Sequence, residues 1–108
     1  MNLLDLKDKL SKGQNLGGEV VYIKEDNLLY GIESIYKDEE NKIVSLLKSE
    51  KNSIKVQDLI DFLDKECNNF LEGEVLIGDT LYNRGNNKNI ISVEFAQYES
   101  IKMIFINA

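Results

Sequence analysis

Two stretches of this chain, one in each half, run through the same order of apolar patterns, and that repeat limits the folds open to it. In the first, Leu3, Leu6 and Leu10 recur at helical spacing, with Asn2 placed to cap the helix and Asp5 to favour its positive end. Gly13 is a natural stop, so a helix is expected over residues 3–12. Gly17-Gly18 make a turn. Residues 19–23, 29–36 and 43–47 are rich in β-branched and aromatic side chains and read as strands. The polar turns between them are Glu25-Asp26-Asn27 and Asp38-Glu39-Glu40-Asn41, with Gly31 a candidate bulge.

In the second half, Val56, Leu59, Ile60 and Leu63 again mark a helix face. Strands are expected over residues 74–77, 91–95 and 101–106, and a Gly/Asn-rich loop over residues 83–89. Laid over each other, Asp5-Leu6 matches Asp58-Leu59, and Leu10 matches Leu63. Gly18-Glu19-Val20 matches Gly73-Glu74-Val75, Ser34-Ile35 matches Ser92-Val93, and Ile43 matches Ile101. The spacing widens from 53 to 55 to 58 residues, which places the extra residues of the second copy in its loops. The expected fold is therefore α+β, a tandem duplication of an α-β-β-β module over residues 1–50 and 54–108. Two helices would pack on antiparallel sheet of about six strands. A half of about 50 residues buries too little surface to stand alone, so the modules should share one core as a single domain.

The residues that are missing narrow the chemistry. There is no His, which excludes Ser-His-Asp and Cys-His catalysis and His-based zinc sites. The lone Cys67 can form no internal disulfide, fits a reducing compartment, and reads as a small residue near a helix end. No phosphate-binding glycine motif occurs, because Gly13, Gly17 and Gly18 precede a strand rather than a helix. Asp38-Glu39-Glu40-Asn41 lacks the spacing of a calcium loop. No cofactor, metal or enzymatic activity is expected. No stretch approaches the ~20 apolar residues of a membrane span. Asp5, Lys7, Asp8 and Lys9 interrupt the leucines of the first ten residues, against a secretory signal. The expected location is the cytoplasm. Richness in Lys, Asn, Ile and Glu points to an AT-rich genome, as in a low-GC bacterium or its phage.

Net charge is −6, from 13 basic and 19 acidic residues. That disfavours direct binding to nucleic acid or to an anionic membrane and permits a protein partner with a basic surface. The acids are unevenly placed. Asp58, Asp61, Asp64, Glu66, Glu72 and Glu74 crowd the second helix and its exit against the single Lys65. In the first helix Asp5 and Asp8 are balanced by Lys7, Lys9 and Lys12. Tyr82 and Tyr98 flank predicted loops and are further contact candidates.

These features lead to an expected non-enzymatic acidic binding module that occupies a basic surface of its target. In general character, by size, acidity and the absence of catalytic groups, it resembles phage-encoded antagonists of host defence such as anti-CRISPR proteins, and no motif carries that likeness. A toxin-neutralising immunity protein would look the same. The alternative is a structural or assembly protein that self-associates, as in a homodimer. A continuous acidic face favours the first; scattered charge with a long bare edge strand favours the second.

Overall fold

The computed structural model describes residues 1–79 and 87–108. Asn2 opens the first helix, α1 (Leu3–Asn15), its side chain accepting from the Asp5 amide at 2.8 Å. The helix runs past Gly13, which is not its stop. Gly13 is buried where α1 crosses the sheet, and a Cβ there would stand 2.7 Å from Ile104 Cδ1. The chain continues through β1 (Val20–Glu25), β2 (Leu28–Asp38), β3 (Ile43–Ser49), a two-residue β4 (Ile54–Lys55) and the second helix, α2 (Val56–Glu66). A 3₁₀ turn (Asn68–Phe70), β5 (Glu74–Gly78), a two-residue β6 (Lys88–Asn89), β7 (Ser92–Tyr98) and β8 (Ile101–Asn107) complete it.

The architecture is α+β, with two helices and one mixed sheet in the order β6-β5-β3-β2-β1-β8-β7, β4 lying beside β1. Three tight turns join the antiparallel pairs. Asp26 and Asn27 both take positive φ (52° and 64°) in the two-residue β1–β2 turn, as a type I′ hairpin requires. Asp38 accepts from the amide and side chain of Asn41 at 3.2 and 2.9 Å, fixing the β2–β3 turn. Glu99, at φ 58°, begins the β7–β8 turn.

Two expectations need correction. The sheet is not antiparallel throughout, and among the described residues it has eight strands rather than about six. The reason for the first is an exchange between halves. β1 runs parallel to β8 (Val21 beside Ile104, Ile23 beside Ile106), and β5 runs parallel to β3 (Val75 beside Val44, Ile77 beside Leu46). The first strand of each half thus lies against the third strand of the other, while β2–β3 and β7–β8 are ordinary antiparallel hairpins. The chain enters both helices in the same way, although Glu19 rather than Gly18 stands where Gly73 does, one residue off the sequence overlay. The Leu3 amide donates to Gly73 O at 2.9 Å, and the Val56 amide to Glu19 O at 3.0 Å. The extra strands, β4 and β6, are too short to show any apolar alternation.

β2 serves two partners. Leu28, Leu29 and Tyr30 pair with β1, and from Gly31 onward the strand pairs with β3, its register slipping by one residue at Glu33. The bulge therefore falls at Glu33. Gly31 has a different job, because the connection after β3 crosses over it. A Cβ on Gly31 would fall on the carbonyl of Asn52.

Both helices lie on one face. Leu3, Leu6 and Leu10 of α1 and Val56, Leu59 and Leu63 of α2 meet Val21, Ile23, Val44, Leu46, Val75, Ile77, Ile104 and Ile106 in one buried cluster drawn from both halves. Cys67 is buried beside them at the end of α2, where burial pushes its thiol pKa up. Among the described residues no helix is long and apolar enough to cross a membrane.

Candidate functional site

Three of the six acids around α2 are paired with cations. Asp64 pairs with Lys7 of α1, Glu66 with Lys37 of β2 at 3.8 Å, and Glu74 with the chain's amino terminus at 2.9 Å. Their neutralising charges all come from the first half of the chain, which a count confined to the second half could not register. Asp61 accepts from Gln57 at 2.8 Å. Asp58, Asp61 and Glu72 are exposed, and among the described residues no cation pairs with them. Tyr82 lies outside the described residues, and so do residues 83–86 of the expected loop; Lys88 and Asn89, at its end, form β6. Tyr98 ends β7 and is 72 % exposed.

Where β1 meets the other half of the sheet, a charge network forms that the sequence did not announce. The Glu25 carboxylate, nearly buried, is held by Lys48 at 2.8 Å and by Lys88. Lys48 also reaches Asp79 at 2.9 Å and lies 4.8 Å from the Tyr30 ring centre. The hydrogen bonds from Lys48 and then Lys88 hold the Glu25 carboxyl below its ordinary pKa. Burial pulls the Lys48 ammonium down, but its bonds to Glu25 and Asp79 together outweigh that and leave it raised. A cavity of about 610 Å³ opens beside the network, lined by Tyr30, Glu33, Lys48, Ser49, Glu50, Lys51 and Asp79. Its inner cation is already matched by two carboxylates. The network therefore ties β1, β3, β6 and the residue after β5 together, and among the described residues it leaves no uncompensated inner charge to recognise a ligand. Among the described residues no group of acids or Cys is placed to hold a metal ion.

The remaining candidate is β7, which ends the sheet on one side as the two-residue β6 ends it on the other. β7 pairs with β8 along its full seven residues, and among the described residues nothing pairs with its other side. A second stretch is also an edge, because among the described residues β2 beyond Tyr30 pairs only with β3. The two edges differ in chemistry. The β2 edge has the bulge at Glu33 and carries Lys37 and Asp38, devices that discourage a further strand. β7, Ser-Val-Glu-Phe-Ala-Gln-Tyr, has no bulge within it, no Lys and one charge, Glu94.

Register places Val93 and Phe95 on the helix side with Ile104 and Ile106. On the opposite, helix-free side stand Glu94, Ala96, Tyr98, Ile101, Met103 and Phe105, joined by Val20 and Tyr22 of β1, with the Lys24 ammonium 5.4 Å from the Phe105 ring centre. Ile101 is 56 % exposed, so the Tyr98–Ile101 end of this open face is apolar and wet. The sequence does contain this signal, in the missing lysine of β7 and its alternation, but only the sheet order shows that β7 is outermost. Comparison with protein-family models, with curated proteins and with solved structures finds no match to this chain.

Proposed function

We propose that this chain is a non-enzymatic protein-binding module, acting in assembly, that docks its partner on the outer edge of β7 and the apolar face beside it. The observation that carries this reading is the contrast between the two edges: β2 is protected by a bulge and charges, and β7 is not. An added strand would gain main-chain hydrogen bonds along β7, with Tyr98 and Ile101 as side-chain anchors. A tandem duplication of the α-β-β-β module fits the reciprocal pairing of β1 with β8 and β5 with β3. It also fits the matched amide bonds that open the two helices. The lone buried Cys67 suits a cytoplasmic setting.

A second reading is that the protein inhibits a target, as an anti-defence or immunity protein would, by occupying a basic surface. It is favoured by the exposed Asp58, Asp61 and Glu72, which no described cation neutralises. Affinity capture from host cells separates the two. One variant carries Tyr98→Asp with Ile101→Asp, the other Asp58→Lys, Asp61→Lys and Glu72→Lys. The edge reading expects the first variant to lose partners that the second keeps, with little dependence on salt. Loss in the second alone, weakening as salt rises, would favour the acidic reading. Partners unaffected by either variant would remove both.

A further inference from the structure

We infer that the occupant of the β7 edge is a second copy of this chain, paired β7 to β7 in antiparallel fashion about a two-fold axis through Phe95. The inference rests on β7 being the docking edge, and names its partner. A two-fold contact needs a surface that complements itself. In this register Ser92 faces the partner's Tyr98, Val93 the partner's Gln97, Glu94 the partner's Ala96, and Phe95 the partner's Phe95. The only charge on the strand therefore faces a methyl group directly, and the two Glu94 side chains meet only on the diagonal.

The exposed apolar side chains also fit the symmetry. Ile91 and Tyr98, the two most exposed large apolar residues among those described (76 % and 72 %), stand at opposite ends of β7. Antiparallel pairing brings the Ile91 end of one copy to the Tyr98 end of the other, so each covers what the other leaves bare. On the helix side, Leu16, Val93, Phe95 and Ile104 line part of a groove of about 180 Å³ between α1 and β7. Leu16 at its rim is 62 % exposed. The partner's Phe95 would arrive at the mouth of this groove, giving an aromatic cross-strand pair at the axis.

The test is sedimentation equilibrium over a range of concentrations, with a charge swap that reads the register. Ala96→Glu puts a carboxylate opposite Glu94 twice per dimer, and should weaken the dimer about tenfold. Glu94→Lys combined with Ala96→Glu turns both contacts into opposite-charge pairs and should restore it. Circular dichroism melting of each variant confirms that it is folded. If either does not fold, concentration-dependent deuterium protection of the β7 amides in the wild-type protein decides in its place. A wild-type dimer that Ala96→Glu weakens and the double variant rescues supports the inference. A dimer indifferent to Ala96→Glu overturns it, and so does a chain that stays monomeric at its highest soluble concentration. In the monomer case, loss of captured partners with Tyr98→Asp and Ile101→Asp would show that the edge takes a foreign strand. Unchanged capture would remove the edge reading as well.

Discussion

Gly31→Ala should be among the most damaging single-methyl changes in the protein, and the reason is the path of the backbone. Ser49 ends β3, and its hydroxyl accepts from the amides of Lys51 and Asn52, both at 3.2 Å, so the chain folds back over β2 there. The carbonyl of Asn52 then occupies the space a Cβ on Gly31 would need, and the amide nitrogen of Ser53 is 2.9 Å from that point. No rotamer change relieves such an overlap, since both sides are main chain. The 52–53 segment must lift. It is tethered at once to β4, where Ile54 and Lys55 pair with Val21 and Val20, and to α2, whose first amide bonds Glu19 O. Overpacking costs about 1–3 kcal/mol where side chains can adjust. Each main-chain bond lost with β4 adds about 1 kcal/mol. A total of roughly 3–5 kcal/mol follows, a large part of the 5–15 kcal/mol by which such domains are stable, and worth roughly 15–30 °C in Tm. Thermal and urea unfolding measure the loss, and deuterium exchange should show the amides of residues 52–56 opening first. Glu33→Ala, at the exposed bulge nearby, should stay within about 0.5 kcal/mol of the parent. A Gly31→Ala protein that melts within about 2 °C of the parent would refute the steric reasoning.

Two further outcomes test other parts of the fold. A double-mutant cycle on Glu25→Gln and Lys48→Met should give a coupling of about 1–2 kcal/mol at neutral pH, measured by urea unfolding. Because the folded Glu25 carboxyl titrates below its ordinary 4.5, its contribution is present above that pH and is lost as pH falls through the folded value. The parent's advantage over Glu25→Gln should therefore shrink on acidification, and an advantage that grows would contradict the network. At the other end, Asn2→Ala should cost about 1 kcal/mol by removing the cap on the Asp5 amide, and Asn2→Asp should recover most of it.

What could be read from the sequence was whatever depends on neighbours along the chain. The leucine spacing of α1 and α2, the Asn2 cap, the β1–β2 turn and the three main strands of each half all follow from local pattern, and the structure has them. What depends on which strand lies beside which was not legible. Glu25 looked like a turn residue, and becomes the centre of a charge network only because β1 ends close to Lys48 and Lys88. Gly13 and Gly31 read locally as a helix stop and a bulge, whereas both are fixed by what passes close to them, the Ile104 side chain and the Asn52 carbonyl. The acidic excess of the second half was real as composition. It weakened as a surface because Lys7, Lys37 and the amino terminus reach it from the other half.

The same exchange that made the sheet mixed also decides where its edges fall. With β1 lying against β8 and β5 against β3, each hairpin is covered on the side of its third strand by the other half's first strand. The outer side of each second strand is left over. In the first half that strand is β2 beyond Tyr30, and in the second it is β7. Among the described residues β2 and β7 are the two long bare edges, the two-residue β6 closing the other end of the order, and a protein that had only to stay monomeric would blunt both. Here β2 is blunted by its bulge and by Glu33, Lys37 and Asp38, while the corresponding length of β7 keeps an even alternation, one carboxylate and an aromatic residue at its end. Sheet geometry explains why the two edges exist but not why one of them is chemically unprotected. That asymmetry is the strongest reason to propose that β7, rather than the acids of α2, takes a partner.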